Sequence, residues 1–169
     1  MGWTQMICPP DNNFRREVER LFKPHPLLGL RQVGSQWFGV FYDDDLGGNR
    51  MMVVITETRD GLWSYKEIGE WMGPASHYAK CPNSLLDMLP ETDCEYTNRF
   101  RAECRAYNAR PQAEYGQTVR APHPISIEGV DYHEFTRVRY GRYRNVYRTE
   151  AGTLCRLSTT DFIGGSLVQ

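Results

Sequence analysis

The sequence predicts an α+β fold, in which an antiparallel β-meander and two helices are followed by a small β-rich region. Apolar and polar residues alternate between turn signals in the first half of the chain, and apolar residues recur at helical spacing between residues 92 and 110. Short strand-like runs separated by glycine turns fill the remainder. We expect an α+β domain over residues 1–110 and a β-rich region over residues 111–169, either separate or packed on the first as one unit.

A first helix is predicted after residue 10. Asp11, Asn12 and Asn13 offer N-caps, and prolines at positions 24 and 26 end the segment. The apolar residues between these signals recur at helical spacing and form one face, made of Phe14, Val18, Leu21 and Phe22.

The meander is predicted from three strands over residues 36–42, 51–58 and 62–68, which are rich in aromatic and branched side chains. A polar, glycine-rich turn over residues 43–49 joins the first two strands. Arg59-Asp60-Gly61 is a tight turn signal between the second and the third. Short turns connect neighbouring antiparallel strands, so the three strands should lie side by side.

A short helix should follow Gly73-Pro74, which ends the third strand. Pro82 suits the first position of a helix, because its missing N–H costs nothing there. Cys81 is then the predicted N-cap. The predicted buried stripe consists of Leu85, Leu86 and Leu89.

A longer helix is predicted between residues 92 and 110. Thr92 and Glu95 have the spacing of a capping box, in which each side chain bonds a backbone N–H of the first turn. Apolar residues then recur every three to four positions and form the predicted buried face, made of Tyr96, Phe100, Cys104 and Tyr107.

Helix signals disappear after residue 110. Strands are predicted over residues 118–121, 132–140, 145–149 and 153–158, and turns at Glu128-Gly129, Tyr140-Gly141 and Ala151-Gly152. An SH3-like barrel or an extension of the first sheet would fit this pattern. The tail over residues 163–169 is expected to fray.

Composition excludes several classes of protein. The chain of 169 residues is 40% hydrophobic and 24% charged, which is typical of a globular protein with a core. A net charge of −1 argues against a DNA mimic and against a polyanion binder that uses the whole surface. The five cysteines form no C-x-x-C pair and follow no secretion signal, so we expect reduced thiols in a cytoplasm and no membrane association.

Cys81 is a candidate reactive thiol, because a helix N-terminus lowers the pKa of a cysteine. His77, four residues earlier, is its candidate base. The competing interpretation is a cysteine that only caps and packs the helix. The histidines and cysteines have no familiar zinc spacing, so we predict neither a metal nor another cofactor.

An arginine- and tyrosine-rich segment stands in the β-rich region. Six arginines and the single acidic residue Glu150 lie between residues 135 and 157. Arginine with tyrosine suits contact with phosphates and stacking on bases, although arginines can also keep a strand edge soluble. The candidate binding residues are Arg137, Arg139, Tyr140, Arg142, Tyr143 and Arg144.

Several short motifs are shared with one family. They are Met1-Gly2-Trp3-Thr4, Tyr65-Lys66-Glu67-Ile68-Gly69-Glu70, Gly73-Pro74, Cys81-Pro82 and Leu85-Leu86-Asp87-Met88-Leu89. In these motifs, the sequence resembles a family of small phage and plasmid proteins of unknown function. The resemblance covers roughly the first two thirds of the chain. The resemblance implies an origin in a mobile element and adds Tyr65, Lys66 and Glu67 as candidate binding residues.

The predicted function is therefore non-enzymatic binding by a protein of a phage or other mobile element, with a host or phage protein as partner. Inhibition of a host defence complex, as by an anti-CRISPR protein, is the specific form that this origin implies. Binding of RNA or single-stranded DNA is the alternative, and a cysteine-dependent enzyme is the second alternative. The sequence shows no phosphate loop, no nucleophile elbow and no pair of catalytic carboxylates, so no motif favours an enzyme.

Overall fold

The computed structural model describes residues 4–7, 16, 19–20, 25–34, 36–45, 47–55, 57–59, 62–65, 67–69 and 79–168. The chain folds into two compact units, Met1–Arg105 and Ala106–Gln169. An antiparallel meander, helices and a second antiparallel sheet follow one another along the chain, which confirms the predicted α+β class.

The meander lies in a four-stranded sheet of order β2-β3-β4-β7. Its strands are β2 (Leu27–Val33), β3 (Gln36–Asp43), β4 (Gly48–Ile55) and β7 (Glu67–Gly69). All neighbours pair antiparallel. Phe38, Val40 and Met51 of β3 and β4 are buried in the core of the first unit.

A second, three-stranded sheet of order β1-β6-β5 contains β1 (Thr4–Ile7), β5 (Glu57–Arg59) and β6 (Leu62–Tyr65). It corrects two predicted strands. Residues 51–58 divide between β4 and β5, and residues 62–68 divide between β6 and β7, so each predicted strand contributes to two sheets. No glycine or proline marks either division, which is why the sequence alone gave one strand in each case.

The first predicted helix lies largely outside the described residues. Arg16, Glu19 and Arg20 of that segment are helical.

The helix after Pro82 is a single turn, α1 (Asn83–Leu86), and Pro82 rather than Cys81 is its N-cap residue. The prediction of Cys81 as the cap was therefore wrong by one position. Pro82 has extended dihedral angles, which an N-cap residue needs, while its side chain makes no capping hydrogen bond. Leu85 and Leu86 are buried with Cys81, and Leu89 packs against the same cluster, as predicted.

The long helix α2 (Glu95–Ala109) begins later than the capping box requires. The Thr92 hydroxyl accepts from the Cys94 N–H at 3.2 Å, and the Cys94 carbonyl accepts from the Asn98 N–H at 3.0 Å. Thr92 thus shapes the turn before the helix and does not cap it. Phe100 and Cys104 are buried as predicted, whereas Tyr96 is 64% exposed.

The second unit is a five-stranded antiparallel sheet of order β11-β10-β9-β8-β12. Its strands are β8 (Thr118–Ile127), β9 (Val130–Tyr140), β10 (Tyr143–Thr149), β11 (Leu154–Arg156) and β12 (Ser166–Leu167). A core of its own packs on one face around Val119, Phe135, Tyr147 and Phe162. Phe162 belongs to the 3-10 helix Thr159–Phe162, which Ser158 and Asp161 cap reciprocally.

The tail is ordered, contrary to the prediction that it frays. Ser166 pairs with Arg120, and Leu167 pairs with Val119. Gly165 permits this pairing, because a Cβ atom at that position would lie 2.3 Å from the Arg120 carbonyl oxygen. In the part of the chain that the structure describes, no helix is long and apolar enough to cross a membrane.

Candidate functional site

The arginine- and tyrosine-rich segment folds into the hairpin of β9 and β10. The two strands pair up to Tyr140 and Tyr143, and the residues between them, Gly141 and Arg142, form the turn. Gly141 has a φ of 53°, a left-handed conformation that glycine adopts without steric cost. The turn therefore places two tyrosines opposite each other at the end of the hairpin.

A β-bulge in β10 brings these tyrosines onto one face with an apolar pair. Tyr143 pairs with Tyr140 and Val146 pairs with Val138, so β10 contains one more residue than β9 over this stretch. Asn145 lies within the bulge with a φ of 57°. In a regular strand, residues three positions apart, such as Tyr143 and Val146, point to opposite faces. The extra residue of the bulge changes this alternation and places both side chains on the same face.

We call this surface the Tyr–Arg face and define it by Tyr140, Tyr143, Val146, Leu154 and Arg156. The Tyr140 and Tyr143 side chains are 53% and 48% exposed. Their rings stack, with centroids 6.4 Å apart and an interplanar angle of 22°. The Arg156 guanidinium carbon lies 5.6 Å from the Tyr143 centroid. With Cys155, these residues line an open groove of about 440 Å³.

Arg137 and Arg139 lie on the opposite face of the hairpin, because they alternate with Val138 and Tyr140 along β9. Their guanidinium carbons lie 4.9 and 5.1 Å from the centroid of the Tyr115 ring. Arg137 is half-buried, and its Nη1 donates to the Ala113 carbonyl at 2.6 Å. The predicted residues are thus divided between two surfaces of one hairpin.

Most arginines of the hairpin and of β11 lie apart from acidic side chains. Arg142 is in the turn, Arg144 is in the bulge, and both are exposed. Elsewhere, surface arginines do pair with carboxylates, as Arg105 does with Asp87. Among the described residues, no carboxylate forms an ion pair with Arg139, Arg142, Arg144, Arg148 or Arg156.

Burial affects two titratable groups of this part of the sheet, Cys155 and Tyr147. Burial raises the pKa of the Cys155 thiol above its ordinary value, so the groove offers no thiolate at neutral pH. Burial also raises the pKa of Tyr147 on the core face, an effect that the nearby Arg137 charge partly offsets.

Cys81 is fully buried in the hydrophobic cluster of the first unit, and its Sγ donates to the Pro82 carbonyl at 3.8 Å. Reactive cysteines are partly exposed and lie in positively charged surroundings, so this position favours a packing role. His77, its candidate base, lies outside the described residues. Across the described ranges, no three histidine, cysteine or acidic residues form a group that could hold a metal ion.

Tyr65 and Glu67 belong to β6 and β7 respectively, so the segment from residue 65 to residue 67 spans the change from one sheet to the other. The side chains of Tyr65 and Glu67, together with all of Lys66, lie outside the described residues.

Four residues near the hairpin were not among the predicted binding residues: Tyr115, Val146, Leu154 and Arg156. Arg156 and Leu154 fall on the Tyr–Arg face because they pair with Val146 and Arg148 of β10. Alternation within the predicted strand 153–158 places Leu154 and Arg156 together, but only the long-range pairing places them beside the tyrosines.

Part of the chain is similar to a known family of domains. Residues 91–160 match a domain of unknown function, DUF6927. The matched region extends from the turn before α2 to the 3-10 helix and includes the whole hairpin. No curated protein and no solved structure matched the chain. Residues 91–160 are thus similar to a domain whose function is not known.

Proposed function

We propose that the protein acts by binding and that its Tyr–Arg face binds single-stranded nucleic acid, either RNA or DNA. The observation that carries the proposal is the stacked, half-exposed pair Tyr140 and Tyr143 on an open sheet face, with the Arg156 guanidinium over Tyr143. Exposed aromatic rings on an antiparallel sheet are a common platform for unpaired bases.

The rings supply the first of two interactions that a single strand requires. Any base can stack on a tyrosine, because every base has a π-face, and each such contact contributes about 1–3 kcal/mol. The Leu154 side chain, which is 44% exposed, extends the apolar surface beside the rings, and Val146 also lines the groove although it is only 4% exposed. A base in the groove would therefore contact both aromatic and aliphatic atoms.

The arginines supply the second interaction. Phosphates would bind guanidinium groups that have no competing carboxylate, as at Arg142, Arg144 and Arg156 within the described part of the chain. Arginine suits this role, because its planar group presents several donors to phosphate oxygens. The positive charge is local, which fits a protein whose whole surface does not attract polyanions.

An acidic protein surface is the second candidate ligand, since tyrosine and arginine are also enriched where protein partners bind. The same groove and the same arginines favour it. An origin in a mobile element and inhibition of a host defence complex are hypotheses that rest on the family resemblance alone.

Fluorescence anisotropy with a labelled oligothymidylate or oligouridylate in low salt tests the proposal. Wild-type protein should bind at micromolar concentration or below, and Tyr143→Ala should weaken binding by about 1–3 kcal/mol. Tyr96→Ala removes an exposed tyrosine from α2 and should leave affinity unchanged. An unchanged denaturation midpoint would show that the Tyr143 variant is folded.

Two outcomes would overturn the proposal. Failure of the wild-type protein to bind any single strand would leave the acidic protein partner as the surviving candidate. Equal binding of polyglutamate and the oligonucleotide would show a preference for polyanions without any contribution from base stacking.

A further inference from the structure

Tyr115 is the third exposed tyrosine of the hairpin region, and it lies on the face opposite Tyr140 and Tyr143. Its side chain is 49% exposed, and the Arg137 and Arg139 guanidinium carbons are 4.9 and 5.1 Å from its ring centroid. An exposed ring beside two cations is the same combination that defines the Tyr–Arg face.

Among the described residues, the end of β9 has a paired strand along one edge only. A ligand that crosses the other edge would reach both faces of the hairpin. The strand pairing of β8 with β9 reaches Thr136, and Gly116 and Gln117 extend the backbone hydrogen bonds only to Arg137. Among the described residues, Tyr140 therefore pairs with β10 alone, and Arg139 lies opposite the bulge of β10. This edge of β9 separates Tyr115 on one face from Tyr140 on the other.

The two cations beside Tyr115 differ in what they already contact. Arg137 donates to the Ala113 carbonyl, which fixes its guanidinium against the loop before β8. Arg139 is exposed, and within the described ranges no carboxylate pairs with it. Arg139 is consequently the cation that a phosphate beside Tyr115 would contact.

We propose that Tyr115 and Arg139 form a second stacking position and that one single strand crosses the exposed edge of β9 to occupy both faces. This inference rests on the proposed function and extends its site. An oligonucleotide that fills the stacking positions on both faces must be longer than one that fills the position on a single face. Affinity should therefore rise with oligonucleotide length until both positions are filled.

A length series of oligothymidylates from about 4 to about 16 nucleotides, which covers the known range of single-strand site sizes, tests the inference. Tyr115→Leu keeps an apolar side chain beside Arg137 and removes the aromatic ring. It should bind the shortest oligomers as the wild type does and lose the gain in affinity for longer ones, by roughly fivefold or more. Arg139→Gln should show the same dependence on length.

Tyr143→Ala serves as the comparison, because it should weaken binding at every length. Tyr115→Leu with wild-type affinity at all lengths would overturn the second position and leave the proposed function intact. A uniform loss at all lengths would also overturn it, since Tyr115 would then only support the hairpin. If the wild-type protein binds no oligomer of any length, the proposed function itself fails, and this extension of its site fails with it.

Discussion

Arg137 joins the loop before β8 to the middle of the sheet. Its Nη1 bonds the Ala113 carbonyl, its guanidinium lies over Tyr115, and its backbone pairs with Gly116 and Gln117. Ala113 belongs to the core of the second unit. A side chain with these contacts stabilises the fold, whereas the exposed Arg142 in the hairpin turn has no comparable contact in the described structure.

Arg137→Ala should lower the free energy of unfolding by about 1–3 kcal/mol, because it leaves the Ala113 carbonyl without this charged donor and removes packing from Tyr115. Arg142→Ala is the matched control and should change it by less than about 0.5 kcal/mol. Urea denaturation measures both values. Equal stabilities for the two variants would contradict the structural role of Arg137.

The sequence pointed to the arginine- and tyrosine-rich segment but not to the arrangement of its side chains. Six arginines, the tyrosines between them and the Gly141 turn can all be read from the chain. The bulge at Asn145 cannot be read from the chain, because the pairing of the neighbouring strands determines that this asparagine adopts a left-handed backbone conformation. That bulge decides that Tyr143 joins Tyr140 and Val146 on one face.

The long helix α2 buries a narrower face than its spacing indicated. Phe100 and Cys104 lie in the core of the first unit with Thr97, while Tyr96 is exposed one position before Thr97. Thr97 lies three positions before Phe100, and Cys104 lies four positions after Phe100, so the buried line runs through positions three to four apart. A polar residue on this line is the reason that the apolar pattern placed Tyr96 on the wrong side.

Phe100→Ala should destabilise the protein by about 3–5 kcal/mol, because it removes a buried aromatic ring and leaves a cavity. Tyr96→Ala, four positions earlier on the same helix, should cost less than about 1 kcal/mol. Chemical denaturation of both variants compares them directly. A larger loss for Tyr96 than for Phe100 would show that the helix buries the other face.

Strands with their own turn signals were predicted well, and strands that depend on distant partners were not. The turns at Glu128-Gly129 and Ala151-Gly152 separate strands as expected. β8 continues past Pro122 to Ile127, because the register shift between Arg120 and Ile125 accommodates the two prolines. β12 was missed because its two residues pair only with the distant strand β8. β2 was also missed, although it has seven residues and pairs with β3, which begins three residues after β2 ends.

Charge is unevenly distributed along the whole chain. Residues 106–169 contain eight arginines and six carboxylates, whereas residues 1–105 contain 12 basic and 15 acidic side chains. The net charge of −1 is therefore the sum of a basic C-terminal unit and an acidic N-terminal unit. Attraction of a polyanion to this unit should be short-ranged, because physiological salt screens exposed charges beyond about 8 Å.

Salt dependence consequently distinguishes contacts at the Tyr–Arg face from a general effect of net charge. Each phosphate that an arginine neutralises on a single strand contributes a slope of about −0.7 in a plot of log binding constant against log salt concentration. Arg99→Ala/Arg105→Ala removes two charges that form ion pairs on α2 and serves as the charge-matched control.

The most direct measurement is the slope of oligonucleotide affinity against salt for the Arg142→Ala/Arg144→Ala variant. If these arginines contact phosphates, the slope should flatten by about 1.4 relative to the wild type, while the control variant keeps the wild-type slope. Equal slopes for all three proteins would contradict the assignment of the hairpin as a single-strand binding site.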